Sequence, residues 1–380
     1  MHILFLFIGE PHQLLHALPI AAELADMGVM PQVAVASAAH LRMVEKVTSA
    51  YPGFCPPVTL LGRRGPAQWL RALHVSRNPR LPTLLGALPW LRRFDAIVVP
   101  ERTTTAIRHF LPRRTRLIFT PHGAGDRAIM LDPRDRHFDF VLVAGEKSEQ
   151  RLLEAGTIRA GHYAVNGYVK LDLMARMQKT RAPLFDNDRP TVLYAPHFRR
   201  SLSSWDRFGR DVIAWFAAQD RYNLVVAPHV RLFADASQGE IDAAMRLAVP
   251  GKILIDLQSD RLFDMSYTAG ADIYLGDVSS QVYEFLATPR PCLFLNAHGV
   301  EWRGDPDYLF WTLGDVLNDL TGLPGALDHA EERHPLYAEA QRQRLAESIG
   351  GDPTGAARRG AEAILRFLAK TGPDDKSCGS

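Results

Sequence analysis

The chain is poor in the residues that mark specialised classes of protein. Among its 380 residues are three cysteines, Cys55, Cys292 and Cys378. They are odd in number, far apart and in no metal-ligand spacing, which argues against a disulfide framework and a structural zinc site; no metal site is expected, and the thiols suit the reducing cytosol. No apolar run is long enough to span a bilayer. The first one, residues 1–8, has no basic leader and is stopped by Gly9-Glu10-Pro11-His12, so it is too short for a signal peptide. A formal charge of +2 makes no case for nucleic acid as a partner. There is no short-period repeat and no low-complexity tract. What remains is ordinary globular chemistry, 47% hydrophobic and 23% charged, in a chain long enough for two domains.

The apolar residues alternate between two periods. Ile3 to Phe7 reads as a strand, Leu14, Leu15, Leu18, Ala21, Ala22 and Ala25 have helical spacing, and Gln32 to Ala36 is a second strand. This is the opening of a doubly wound parallel sheet. Further strands are expected at Val58–Leu61, Ala96–Val99, Arg116–Thr120 and Phe138–Val143. A charged, proline-bearing passage, Lys179 to Pro190, reads as a linker. Beyond it the alternation resumes, with strands at Val192–Ala195, Leu224–Ala227, Ile273–Leu275 and Cys292–Leu295 and a helix from Phe208 to Ala218 carrying Val212, Trp215 and Phe216 on one side. The expected architecture is therefore α/β, two doubly wound Rossmann-like domains facing across a cleft, over residues 1–178 and 179–370. Ala356 to Leu368 is the expected last helix, and residues 371–380 a disordered tail.

The most informative stretch is Ala271 to Asn296. Strand Ile273–Leu275 leads through Gly276 into Asp277, Val278, Ser279 and Ser280 and then a short helix, Gln281 to Leu286. A polar turn at a helix start either caps the helix or receives a phosphate, and the residues alone leave both open. Glu284 lies four residues after Ser280, where a capping box wants three, so capping does not account for it. Three histidines each follow a proline just past a strand: Pro121-His122, Pro196-His197 and Pro228-His229. Any one of them is as well explained by a loop bond to backbone as by chemistry; three at carboxyl ends of parallel strands, where α/β sheets bind ligands, point to a site. Gly123 and Gly125 make no complete dinucleotide fingerprint.

Residues 63–93 hold Arg63, Arg64, Arg71, Arg77, Arg80, Arg92 and Arg93, no acidic residue, and Trp69 and Trp90 among leucines. The plain interpretation is a solvated helical hairpin. Arginine and tryptophan on amphipathic segments also suit an anionic membrane surface, and that contact is the expectation here.

These residues together resemble the CDP-glycerol glycerophosphotransferase family, of teichoic-acid polymerase type. The resemblance runs over roughly residues 95 to 300 and rests on Asp277-Val278-Ser279-Ser280 with Glu284 and Arg290-Pro291, on His122-Gly123, on Tyr194-Ala195-Pro196-His197-Phe198-Arg199, and on His229. It implies a glycosyltransferase B-type fold and transfer of glycerol phosphate from CDP-glycerol to a hydroxyl of a membrane-bound lipid or glycan acceptor, with release of CMP and no further cofactor. It places the enzyme in the cytoplasm, peripheral on the inner face of the plasma membrane. In that scheme His122 is the general base, an imidazole that titrates near neutrality. His229 and Arg199 bind the donor phosphates, His229 counting with His122 as catalytic; Ser279 and Ser280 hold the pyrophosphate, Glu284 accepts from ribose, and Asp277 and His197 complete the donor site. His197 departs from the family, which more often has threonine or a small residue there. The chain also lacks the long extra region of a processive polymerase, which favours adding one or a few units. Asn166-Gly167-Tyr168 and Asp277 to Glu284 resemble the UDP-N-acetylglucosamine 2-epimerase side of the same superfamily, so a UDP-sugar transferase or epimerase is the alternative. A non-catalytic nucleotide-binding protein is a third.

Overall fold

The computed structural model describes residues 1–61, 80–121, 132–178, 181–279, 281–350 and 354–371. His122, Ser280, Gly123, Gly125, Arg63, Arg64, Arg71, Arg77, Trp69 and the tail beyond residue 371 lie outside them. The chain forms two compact units. Among the described residues the first comprises 1–177 and 346–371, and the second 178–345.

In the first unit seven parallel strands are ordered β3-β2-β1-β4-β5-β6-β7, with β1 Ile3–Phe7, β2 Gln32–Val35, β3 Val58–Leu60, β4 Ala96–Val99, β5 Arg116–Phe119, β6 Phe140–Val143 and β7 Tyr163–Val165. The second unit repeats the winding with six, ordered β10-β9-β8-β11-β12-β13: β8 Thr191–Ala195, β9 Asn223–Val226, β10 Ile253–Ile255, β11 Ile273–Gly276, β12 Cys292–Leu295 and β13 Asp315–Leu317. Each sheet starts in its middle, winds outward and then returns to the other side of its first strand. The direction of winding reverses between β1 and β4, and between β8 and β11. In sheets wound this way ligands bind at the carboxyl ends of the strands, where the direction reverses.

Helices cover both faces of a parallel sheet, so its inner strands are apolar without alternation. Leu4, Phe5 and Leu6 are fully buried, as are Val192, Leu193 and Tyr194. Each such side chain contributes about 1.5 to 3 kcal/mol by burial. The helix Trp205–Ala217 buries Phe208, Val212 and Phe216, four residues apart and hence on one face, against the second sheet, while Trp215 sits half-buried at its edge.

The last helix, Ala356–Lys370, departs from the boundary expected at 370, because it belongs to the first unit. Ala357, Gly360, Ala361 and Ile364 make a narrow buried stripe, and a Cβ on Gly360 would stand 3.3 Å from Ile20 of the helix Leu14–Asp26. Asp172 caps its start, accepting from the N–H groups of Gly355 and Ala357 at 2.7 Å each, and Arg358 pairs with Asp26 at 3.0 Å. An amphipathic helix advertises a buried face in its sequence but not the surface that covers it.

Of the basic stretch, residues 80–93 are described. The helix Arg80–Leu91 buries Thr83, Leu84 and Leu91 and exposes Leu81 and Leu85. Arg80, read from the sequence as unbalanced, pairs with Glu10 at 2.6 Å. No helix of the described residues is long and apolar enough to cross a membrane.

Candidate active site

The second unit gathers its polar residues at the carboxyl ends of β8, β9 and β11. Gly276 ends β11 over the ring of Tyr274: a Cβ there would stand 2.7 Å from a ring carbon, and Tyr274 is itself fully buried. Asp277 follows with no exposed surface. Its Oδ2 accepts from the N–H of His197 at 2.8 Å and of Ser204 at 2.9 Å, both in the loop after β8. Asp277 thus ties the two strands that flank the switch point. Its Oδ1 is buried without a hydrogen-bond partner, and burial pushes its carboxyl up to about 7 although the backbone N–H groups oppose the shift. The hydroxyl of Ser204 also meets that of Tyr194 at 2.8 Å, which seats the loop on the core.

Two short segments then repeat one geometry. Pro196-His197-Phe198-Arg199 follows β8 and Pro228-His229-Val230-Arg231 follows β9. In each, the histidine Nδ1 accepts the N–H of the arginine two residues on, at 3.0 Å for Arg199 and 3.2 Å for Arg231. The two loops are joined by the N–H of His229 donating to the carbonyl of Pro196 at 3.0 Å. A neutral imidazole whose Nδ1 accepts carries its proton on Nε2, so both rings are set up as Nε2–H donors. Burial, helped by the Arg231 charge, pulls His229 down to about 4, which keeps it neutral at physiological pH. In that state its ring can donate a hydrogen bond but has no bare nitrogen for taking a proton.

Phe198 lies between these groups. Its ring is 4.6 Å from those of His197 and His229, with the guanidinium of Arg231 over it at 4.4 Å and that of Arg199 at 5.7 Å. Cation–π contact holds the two exposed arginines on one side of the strand ends. Two imidazoles and two guanidiniums are thus gathered around one ring, groups of the kind that meet phosphate oxygens.

Ser279 is buried, at 7% exposure, and its Oγ accepts the N–H of Gln281 at 3.3 Å, a cap on the helix Gln281–Phe285. That helix is five residues long, so its dipole alone would hold an anion weakly. Glu284 is half-buried on it. Arg290 is deeply placed; it donates to the carbonyls of Thr268, Ala271 and Phe285, and burial lowers it to about 10. Its charge serves carbonyls at the ends of two short helices and the strand that follows, not a ligand.

In the first unit, the corresponding edge is described up to Pro121. His16, Thr120, Asn166 and Tyr168 line a cavity of about 10 Å³ beside it, His16 and Tyr168 with ring centres 5.3 Å apart. A cavity of about 760 Å³ in the second unit lies at the opposite end of the sheet, by Thr191 and Asp272, under residues 181–189. Volume alone does not make it the site. Of its charged groups, Arg181 is bonded to Asp264 and Asp272 to the N–H of Thr191.

The structure therefore brings together Asp277, His197, His229, Arg199 and Ser279, with Glu284 on the adjoining helix. Sequence reasoning passed over Phe198, Ser204 and the role of Arg231. The repeated Pro-His-x-Arg was a visible signal for Arg231; nothing in the sequence marked Ser204.

No family model matches the chain, and no curated protein matches it. Solved structures do, along nearly its whole length, and they give its two parallel-sheet units the glycosyltransferase B-type fold. The UDP-GlcNAc 2-epimerase from Neisseria meningitidis, bound to UDP-GlcNAc, superposes with a TM-score of 0.62 at 13% identity, covering 96% of this chain and 100% of that one. The wall teichoic acid polymerase TagF gives 0.65 at 13%, covering 97% and 89%. The UDP-GlcNAc 2-epimerase from Methanocaldococcus jannaschii gives 0.62 at 12%, covering 97% and 100%.

Proposed function

We propose that the protein is a transferase that uses a nucleotide-activated donor, and specifically that it moves glycerol phosphate from CDP-glycerol to a hydroxyl of a membrane-associated lipid or glycan acceptor. The observation that supports this most is the pair of Pro-His-x-Arg segments at the ends of β8 and β9, tied by Asp277 to the switch-point strand. A donor with a pyrophosphate needs its negative charge met by fixed donors and cations, and needs little else from the protein beyond positioning.

In this scheme the acceptor oxygen bonds to the distal phosphorus while the bond from that phosphorus to the CMP oxygen breaks, and the charge leaves on CMP. The acceptor proton passes to His122, which is assigned as base on its place in the sequence, past β5. His229, His197, Arg199 and Arg231 hold the phosphates, and the Nε2–H of His229 steadies the leaving oxygen. Ser279 and Ser280 line the turn, and Glu284 accepts from the ribose. Asp277 serves the donor site through the loop it clamps, since it has no surface of its own. No cofactor beyond the donor is invoked. The acceptor makes the protein a peripheral enzyme on the cytoplasmic membrane face, with residues 63–93 as the basic contact.

A second proposal has equal support from fold: an enzyme acting on a UDP-sugar, the kind of ligand bound in the Neisseria meningitidis epimerase structure. Incubation with CDP-glycerol and with UDP-sugars in the presence of membranes, followed by identification of the released nucleotide, separates the two. CMP supports the first; release of UDP or UMP, or conversion of the UDP-sugar to its epimer with the nucleotide retained, supports the second. Binding of CDP-glycerol with neither release of a nucleotide nor conversion of any UDP-sugar would end both.

A further inference from the structure

The amino ends of the first unit's strands carry a surface that the donor chemistry does not use. Arg92 and Arg93 precede β4, and Arg113 and Arg114 precede β5, its neighbour in the sheet. All four are exposed, and none has an ion pair with a described residue. The two pairs meet: Arg114 donates to the carbonyl of Arg92 at 3.2 Å. On the other side of β4 lies β1, so Met1 adjoins the same patch, 57% exposed, and Phe110, 56% exposed, leads into Arg113.

The acidic residues at this edge are turned to internal duties. Asp95 takes the N–H of His2 at 2.8 Å and faces the chain's amino group at 4.0 Å. Asp139, at the start of β6, takes the N–H of Leu117 at 2.7 Å and pairs with Arg108 at 3.1 Å. Among the described residues four guanidiniums therefore stand at one edge with no carboxylate paired to them, a local excess of positive charge that attracts anions.

We propose that this edge docks on an anionic phospholipid surface, with Arg92, Arg93, Arg113 and Arg114 among the headgroups and Met1 and Phe110 entering the interface. The apolar pair is what favours lipid over a nucleic acid: arginines serve phosphates of either kind, but a phosphate backbone offers Met1 nothing. Docking by the amino ends of the strands leaves their carboxyl ends, where ligands bind in such sheets, uncovered. The inference deepens the membrane-acceptor reading by adding Phe110, Arg113 and Arg114 to a contact assigned above to residues 63–93 alone. It is tested without any donor, so its failure and that of the transfer chemistry are told apart.

The test is flotation of the full chain with vesicles of phosphatidylcholine alone and of phosphatidylcholine with phosphatidylglycerol, at low and high salt. Wild-type protein should bind the anionic vesicles at least tenfold more tightly, with the difference shrinking as salt rises. The quadruple variant R92S/R93S/R113S/R114S should lose about a hundredfold, since each arginine at such a surface contributes roughly fivefold and some engage only in part. The milder pair R113S/R114S should lose about tenfold, and Phe110→Ser a few-fold at either salt. A control pair on the second unit, R210S/R246S, should change nothing, and unfolding temperatures report that all variants fold. Equal binding to both vesicle types by the wild type, or no loss in the arginine variants, overturns the proposal. So does an RNA oligonucleotide that strips the protein from vesicles and itself binds in an arginine-dependent way.

Discussion

Each sheet follows its returning strand with a buried carboxylate, and the two are put to different uses. Glu101 lies two residues past β4 and is 5% exposed; Asp277 lies immediately past β11 and has no exposure. Glu101 turns back on its own chain, accepting the N–H of Thr103, the N–H of Thr104 at 3.2 Å and the hydroxyl of Thr104. Asp277 reaches across to the next strand's loop and takes the N–H groups of His197 and Ser204. The first is a local cap that any turn of this shape can use. The second fixes two loops relative to each other at the carboxyl ends of the strands, and does so with one oxygen left unpartnered. A carboxylate kept buried and half-satisfied is costly, which makes its position a candidate for function and not merely for folding.

The largest test of that contrast is removal of each carboxylate. Asp277→Ala orphans two buried N–H groups and should lower stability by about 4 kcal/mol, whereas Glu101→Ala, whose partners include the half-buried Thr103, should cost about 2 kcal/mol. Denaturant unfolding of both variants checks it, and equal losses would mean that Asp277 is only another cap. The pH dependence sharpens the point. Asp277 is held at about 7 in the folded chain against 3.8 unfolded, so the folded state keeps a proton that the unfolded state has released. Its contribution is therefore full below pH 4 and is lost as pH rises to 7. Asp277→Asn keeps an accepting oxygen without the titration, so its stability relative to wild type should climb across that window. His229, held at about 4 against 6.5, acts with the opposite sign in both proteins and cancels in the difference.

This contrast also marks what could be read from the chain alone. Strands β1, β4 and β12 have the expected bounds, because strands buried on both faces are continuous apolar runs closed by turn residues. Edge strands β7, β10 and β13 went unread: each is three residues long, and at Tyr163–Val165 and Asp315–Leu317 every residue is only half-buried, so no pattern builds up. The strand-end histidines at 197 and 229 were legible from their prolines. The clamp was not, since a hydrogen bond between residues 80 apart in sequence leaves no local trace.

A smaller effect separates the proton-transfer role from the donor-holding role. His122→Ala should lower turnover about 100-fold with donor affinity nearly intact, the usual scale for a lost general base. His229→Ala removes a neutral N–H donor and should weaken the donor about tenfold, as for one lost hydrogen bond to a charged group. Steady-state kinetics over donor concentration would expose a swap of the two signatures, and with it a wrong assignment of base.

The smallest expected effect concerns the turn after Asp277. Ser279 already spends its oxygen on the N–H of Gln281 at 3.3 Å, a long bond that caps a five-residue helix, so its hydroxyl hydrogen is what remains to offer a phosphate. Ser279→Ala together with Ser280→Ala should therefore weaken CDP-glycerol several-fold while leaving free cytidine within about twofold, because a hydroxyl facing phosphate does not meet the base. The helix itself should persist, since Val282, Tyr283 and Phe285 are buried and hold it irrespective of the cap. Calorimetric titration of the double variant with both ligands decides the matter. If cytidine and CDP-glycerol weaken by the same factor, the serines shape the loop and the phosphates are held by the Pro-His-x-Arg segments alone.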